Sequence, residues 1–196
     1  MLNAPQKEID LKLKPTGVEG AALDIINATC LSFPNEEANN FFVGVEDGTI
    51  YSAQVHGKLL FPLRFFANYF FSHAGDNIVE SFNSHQAPIT SLSLMPYFPD
   101  LSSDVVLYII FYNIKQASNL LLSSSYDWTV KLWNPKVSTE AICSFEAAED
   151  YIYDVSWNPA NPALFSSVDG EGYIDIWDLS KDIEVPYLRH KGGIFV

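Results

Sequence analysis

Leu121-Leu122-Ser123-Ser124-Ser125-Tyr126-Asp127-Trp128-Thr129-Val130-Lys131-Leu132-Trp133 runs from an apolar start through a polar turn into an alternating segment that closes on tryptophan. Period-two alternation on either side of turn-forming residues predicts two short β-strands joined by a tight turn.

The same pattern recurs on both sides of this stretch. Upstream stands Phe41-Phe42-Val43-Gly44-Val45-Glu46-Asp47-Gly48-Thr49-Ile50-Tyr51-Ser52-Ala53. Downstream stands Ala163-Leu164-Phe165-Ser166-Ser167-Val168-Asp169-Gly170-Glu171-Gly172-Tyr173-Ile174-Asp175-Ile176-Trp177-Asp178. A further alternating segment precedes the second and third copies, Pro88–Leu94 and Tyr151–Trp157, each followed by a proline, Pro96 and Pro159. Three or four strands per unit, ending in Trp or Trp-Asp, are the mark of a WD-repeat propeller blade. No segment shows a long helical period with caps. The expected fold is all-β: a partial WD-repeat β-propeller of about three blades from a larger ring. Its blades are expected at about residues 21–57, 75–134 and 141–180, after a lead over 1–20.

Composition narrows the function classes. Hydrophobic residues make up 48% and aromatics 14% of the 196 residues, too apolar for a disordered chain. With 11 Lys and Arg against 24 Asp and Glu, the formal net charge is −13. So acidic a surface repels phosphate backbones and anionic lipid, which sets nucleic acid and membranes aside as partners. Cys30 and Cys143 lie far apart and read as reduced, buried residues of a cytosolic chain. The N-terminus has no basic head before an apolar core and so does not read as a signal peptide. The apolar stretches over 59–71 and 105–112 fall short of the roughly 20 residues that a spanning helix requires.

The spacing of the copies holds an anomaly. Trp133 and Trp177 are separated by one ordinary repeat of roughly 40–45 residues. Ala53, the first copy's counterpart of these tryptophans, lies nearly two repeats before Trp133. The excess matches two segments, 58–73 and 97–116, that are rich in Phe, Tyr, Ile and Leu where surface connections are normally polar. Both read as translated intron. The other reading is that they are genuine insertions packing over the propeller face.

The residues expected to hold a blade together form a hydrogen-bonded chain: a His on the incoming loop, a Ser or Thr, a Trp ring N–H, and an Asp in the turn. In the second copy these are His85, one of the serines 123–125, Trp133 and Asp127, with the middle serine, Ser124, assigned the hydroxyl. The third copy keeps Trp177 but has Ala148 in place of the His and Glu171 in place of the Asp. The first keeps Asp47 and replaces Trp with Ala53. Ser, His85 and Asp127 also mimic a catalytic triad, but no G-x-S-x-G elbow or oxyanion glycine run accompanies them, so the chain reads as a non-enzyme without cofactor. The acidic turn from Asp169 lacks the sixth-position Gly and twelfth-position Glu of a calcium loop and reads as a hairpin turn whose glycines supply positive φ. His56, His73, His85 and His190 show no zinc-ligand spacing with each other or with the cysteines. Tyr126 and Trp128 are the partner-interface candidates, because large aromatics at an exposed turn are typical of binding hot spots.

The segment from Ser125 to Trp133 resembles the Asp-Trp-Thr-Val-Lys-Leu-Trp stretch of dynein intermediate chains. Asn39–Gly44, His85–Thr90, Ser144-Phe145-Glu146, Asp150–Val155, Pro162–Phe165 and Asp182–Pro186 add to the likeness, the last two in the manner of the cytoplasmic branch. The resemblance implies a non-catalytic subunit of the cytoplasmic dynein motor, found on the microtubule cytoskeleton, whose propeller grips the dynein heavy chain. The family's region for light chains and dynactin is expected to be absent here, and residues 187–196 match nothing in the family, which makes them a divergent tail. A generic WD-repeat scaffold in another complex is the alternative, and a hydrolase using His85 and Asp127 is a third.

If the apolar segments are translated intron, the mature transcript lacks the codons for 58–73 and 97–116. A transcript that contains both would show them to be part of the protein.

Overall fold

The computed structural model describes residues 27–35, 39–54, 78–98 and 120–192. The segment 58–73, the lead over 1–20 and almost all of 97–116 lie outside them.

The described chain forms twelve strands in three four-stranded antiparallel sheets. The first sheet takes β1 (Ala28–Ser32), β2 (Asn40–Val45), β3 (Thr49–Gln54) and β4 (Ile78–Asn83) in sequence order. The second takes β5 (Ile89–Leu94), β6 (Leu121–Ser125), β7 (Val130–Trp133) and β8 (Cys143–Phe145). The third takes β9 (Ile152–Trp157), β10 (Leu164–Asp169), β11 (Tyr173–Asp178) and β12 (Leu188–Lys191). The three expected hairpins are present as β2–β3, β6–β7 and β10–β11.

The sheets divide the chain at other points than the expected blade limits. Ile78–Asn83 closes the first sheet and Cys143–Phe145 closes the second. The expected second and third blades therefore each begin with the outer strand of the sheet before. Residues of the expected tail pair with β11, Ile176 opposite Leu188 and Tyr173 opposite Lys191, and so complete the third sheet. This strand, Leu-Arg-His-Lys, is exposed throughout and carries no apolar alternation to announce it.

The sheets stack face to face with β1, β5 and β9 side by side. Alternation sends successive side chains of the second sheet to opposite neighbours. Leu121 and Trp133 join Phe42, Ile50, Phe82 and Ile89 in a core shared with the first sheet. Leu122, Val130, Leu132 and Phe145 join Val155, Trp157, Phe165 and Trp177 in a core shared with the third. Ring pairs fill both: Phe82 meets Trp133 edge-on at 5.9 Å, and Phe165 stacks on Trp177 at 5.8 Å. Side chains also bond across the joint, Thr90 donating to the Ile152 carbonyl at 2.7 Å and Ser93 accepting the Trp157 amide at 3.1 Å.

The ladder slips by one residue early in each inner strand, at Thr29 in β1, Thr90 in β5 and Tyr153 in β9. Such a bulge bends the strand and turns the extra side chain out of the ladder.

Gly44 sits where the first two sheets approach closely. A Cβ there would stand 2.6 Å from both the Cys30 sulfur and the Ile89 Cγ2. Gly44→Val should therefore lower stability by about 1–3 kcal/mol through overpacking. A urea unfolding midpoint equal to that of the unsubstituted chain would show that the two sheets do not meet here.

Candidate functional site

The second sheet carries a continuous hydrogen-bonded chain of side chains. The Trp133 ring N–H donates to Ser123 Oγ at 2.8 Å. Ser123 Oγ lies 2.7 Å from His85 Nε2, and His85 Nδ1 lies 2.8 Å from Asp127 Oδ2. Asp127 also accepts the Gln86 amide at 3.1 Å, the Thr129 amide at 3.0 Å and the Thr129 hydroxyl at 2.7 Å. The turn of β6–β7 thus positions the carboxylate, β6 the hydroxyl, β7 the indole and the loop before β5 the imidazole.

His85, Asp127 and Trp133 come together as expected, but the hydroxyl is Ser123 and not Ser124. Parity is the reason. Ser123 pairs with Lys131 and Leu121 with Trp133, so Ser123 shares the face of Trp133. Ser124 faces the third sheet and bonds the Thr90 hydroxyl at 2.8 Å.

The protons have one consistent arrangement. Burial of the imidazole pushes the His85 pKa below its ordinary value, while the Asp127 hydrogen bond and charge act the other way. For Asp127, burial would raise the pKa; the His85 ring and the Thr129 and Gln86 donors outweigh it and hold the carboxyl well below the usual range. Neutral His85 then donates through Nδ1 to the carboxylate and accepts the Ser123 hydroxyl proton at Nε2, leaving the Ser123 oxygen to accept from Trp133. These contacts reproduce triad distances, yet Ser123 is fully buried and its oxygen is already engaged by the indole. No substrate carbonyl can approach it, so the geometry locks a blade.

The other two sheets keep parts of this arrangement. In the first, Asp47 Oδ1 accepts the Thr49 amide at 2.8 Å, as Asp127 does for Thr129. In the third, the Trp177 indole reaches Ser167 Oγ at 3.4 Å. A separate ionic contact comes from β12. Arg189 reaches Asp169 Oδ2 at 3.3 Å and Asp175 Oδ1 at 3.5 Å, and donates to the Ala147 carbonyl at 2.9 Å, beside Ala148. Burial pushes the Asp175 carboxyl up, opposed by the Arg189 charge. Sequence reading missed Arg189; the buried carboxylates Asp169 and Asp175, on adjacent strands, were the signal that could have pointed to a cation nearby.

The turn glycines divide. Gly48 and Gly172 take φ of 88° and 83°, whereas Gly170 is not among the positive-φ residues. Trp128 occupies the corresponding turn position at φ 70° and is 49% exposed. A bulky side chain in this left-handed region costs about 1–2 kcal/mol. Tyr126, beside it, packs on Tyr151 at 5.0 Å and Tyr153 at 5.9 Å, all three exposed. Cys30 and Cys143 are half-buried free thiols rather than core residues, and burial raises both, Cys143 to about 12.

With three stacked four-stranded sheets and a Trp–Ser–His–Asp chain in place, known proteins give a consistent comparison. The WD domain, G-beta repeat family model matches residues 112–134 and 139–178. The fold is a partial WD-repeat β-propeller. The chain is 37% identical over 186 residues to the cytoplasmic dynein 1 intermediate chain of Drosophila melanogaster, across 95% of its own length. It spans 22% of that relative. The resemblance to a dynein intermediate chain therefore extends over nearly the whole chain. Among solved structures, a chain of the mitotic checkpoint complex aligns at a TM-score of 0.58 with 11% identity, covering 86% of this chain and 38% of that one, a likeness of fold alone.

The sign of the His85 and Asp127 shifts fixes a pH response. Both folded pKa values lie below the unfolded ones, so the folded chain resists protons that the unfolded chain accepts. Stability is full above the ordinary His value of 6.5 and is lost as pH falls below it, first through His85 and then, below 3.8, through Asp127. His85→Gln should cost about 2 kcal/mol near neutral pH and flatten the loss between about pH 7 and 5. Urea titrations showing the same pH slope in the variant would rule out a neutral buried His85.

Proposed function

We propose that this chain is a non-catalytic subunit of the cytoplasmic dynein motor complex, and that its WD-repeat module binds the dynein heavy chain in microtubule-based transport. The observation that carries this reading is the 37% identity to a cytoplasmic dynein 1 intermediate chain over 95% of the chain. A dynein subunit role is also in keeping with the WD repeats, whose polar network is buried and structural. Cytoplasmic location on the microtubule cytoskeleton goes with that role.

The binding surface proposed here is the exposed β6–β7 turn with Tyr126 and Trp128. A tryptophan held at φ 70° where two other turns use glycine is maintained against its own backbone preference. Interfaces gain most from such large, half-exposed aromatics.

Affinity capture of the tagged full chain from the cells that make it should bring down dynein heavy chain. Trp128→Gly should leave stability unchanged or raised by up to about 1 kcal/mol, because glycine tolerates the turn, while heavy-chain recovery drops. Capture without heavy chain would overturn the subunit reading. Equal recovery by Trp128→Gly would move the interface elsewhere.

A further inference from the structure

The three sheets can be superposed residue by residue on their recurring backbone hydrogen bonds. Glu46 N–H reaches the Asn27 carbonyl, Tyr126 N–H the Pro88 carbonyl and Gly170 N–H the Tyr151 carbonyl, at 3.1, 3.1 and 2.9 Å. The three bulged residues, Thr29, Thr90 and Tyr153, coincide in the same way. At one joint the repeat is broken four times, each time by an aromatic. Tyr126 stands where the other sheets have Glu46 and Gly170, Trp128 where they have Gly48 and Gly172, Tyr151 where they have Asn27 and Pro88, and Tyr153 where they have threonine.

Three of the four touch. Tyr126 from the second sheet lies against Tyr151 and Tyr153 from the third, with interplanar angles of 55° and 88°. The bulge in β9 is what frees Tyr153 from the ladder to reach across. The result is an exposed cluster of tilted rings between two sheets, each tyrosine between 39% and 51% exposed.

Its surroundings are acidic. The Asp150 carboxylate and the Tyr153 ring both crowd Gly170, which places a negative charge beside the ring. Asp154, Glu149 and Glu171 are exposed on the adjoining strand, loop and turn. The chain's own cations already cap other tyrosines: Arg189 and Lys191 lie 4.4 and 4.6 Å from the Tyr173 ring, and Lys181 lies 3.6 Å from Tyr187. Among the described residues no Lys or Arg lies over Tyr126, Tyr151 or Tyr153.

We propose that the platform of Tyr126, Tyr151 and Tyr153 receives arginine or lysine side chains of a partner protein against its ring faces. This rests on the reading of the chain as a subunit-binding module and names the chemistry its partner must present. Aromatic faces carry negative electrostatic potential and attract cations within about 6 Å of the centroid. The neighbouring carboxylates add to that attraction and repel acidic segments. Trp128, two residues from Tyr126 on the same turn, is itself 49% exposed and offers a partner further apolar area.

The test uses the full chain labelled with fluorotyrosine, and an alanine-based helical peptide bearing arginines on one face. A second peptide carries citrulline, which keeps the shape and removes the charge. The arginine peptide should bind about 3–10-fold tighter than the citrulline peptide and should shift the platform tyrosine resonances. Tyr126→Leu and Tyr153→Leu keep apolar area without the ring face, and each should abolish most of that preference at an unchanged unfolding midpoint. Equal binding of the two peptides, or a preference that survives both substitutions, overturns the proposal. Heavy-chain capture is read separately. An arginine preference without capture leaves the platform standing and removes the heavy chain, whereas capture without the preference does the reverse.

Discussion

The second sheet is covered on both faces, and that double burial disciplines the rest of the described fold. A surface sheet tolerates a one-residue slip in register as an exchange of solvent for core, whereas here a slip would trade one core for another. Trp133 and Leu121 serve the joint with the first sheet, and Leu122 and Leu132 the joint with the third. Each side chain on β6 and β7 therefore has a fixed neighbour on a fixed side. The hydrogen bonds from Thr90 and Ser93 to β9 enforce the same register from outside the sheet.

The Trp133–Ser123–His85–Asp127 chain extends that discipline to the loops. It ties the approach to β5 to the turn between β6 and β7, at a point where a neutral imidazole can serve as both donor and acceptor. Directional polar networks specify geometry more sharply than apolar contacts, because a misplaced partner leaves a buried polar group unmet. The third sheet reaches a comparable fastening by ionic means, with Arg189 bridging two carboxylates and the Ala147 carbonyl.

The hairpins were legible in the sequence because alternation, turn chemistry and a closing tryptophan all agree there. The network was legible in outline: His85, Asp127 and Trp133 were in hand, and only the serine was misplaced. Three consecutive serines carry no parity, although the equal spacing of Ser123 from Trp133 and of Ser167 from Trp177 would have resolved the choice. β12 was invisible because an exposed edge strand needs no apolar period, and Arg189 was hidden with it. The bulges have no sequence signature at all; they exist in the ladder and not in the residue order. For the same reason Tyr126 and Trp128 could be singled out, while Tyr151 and Tyr153, which look like ordinary strand residues, could not.

The bulges bear on how such a sheet can diversify. A residue expelled from the ladder is insulated from it: its side chain can change size or polarity while the flanking pairs hold their register. Threonine at two of these sites spends that freedom on hydrogen bonds, Thr29 to the Gly44 carbonyl and Thr90 to Ser124 and, across the joint, to the Ile152 carbonyl. Tyrosine at the third spends it on a surface. The inner strands thus hold one position apiece that is freed from ladder pairing, used at Thr90 to fasten the neighbouring sheet and at Tyr153 to build a surface, so copies of the repeat differ there in what they contact while pairing alike.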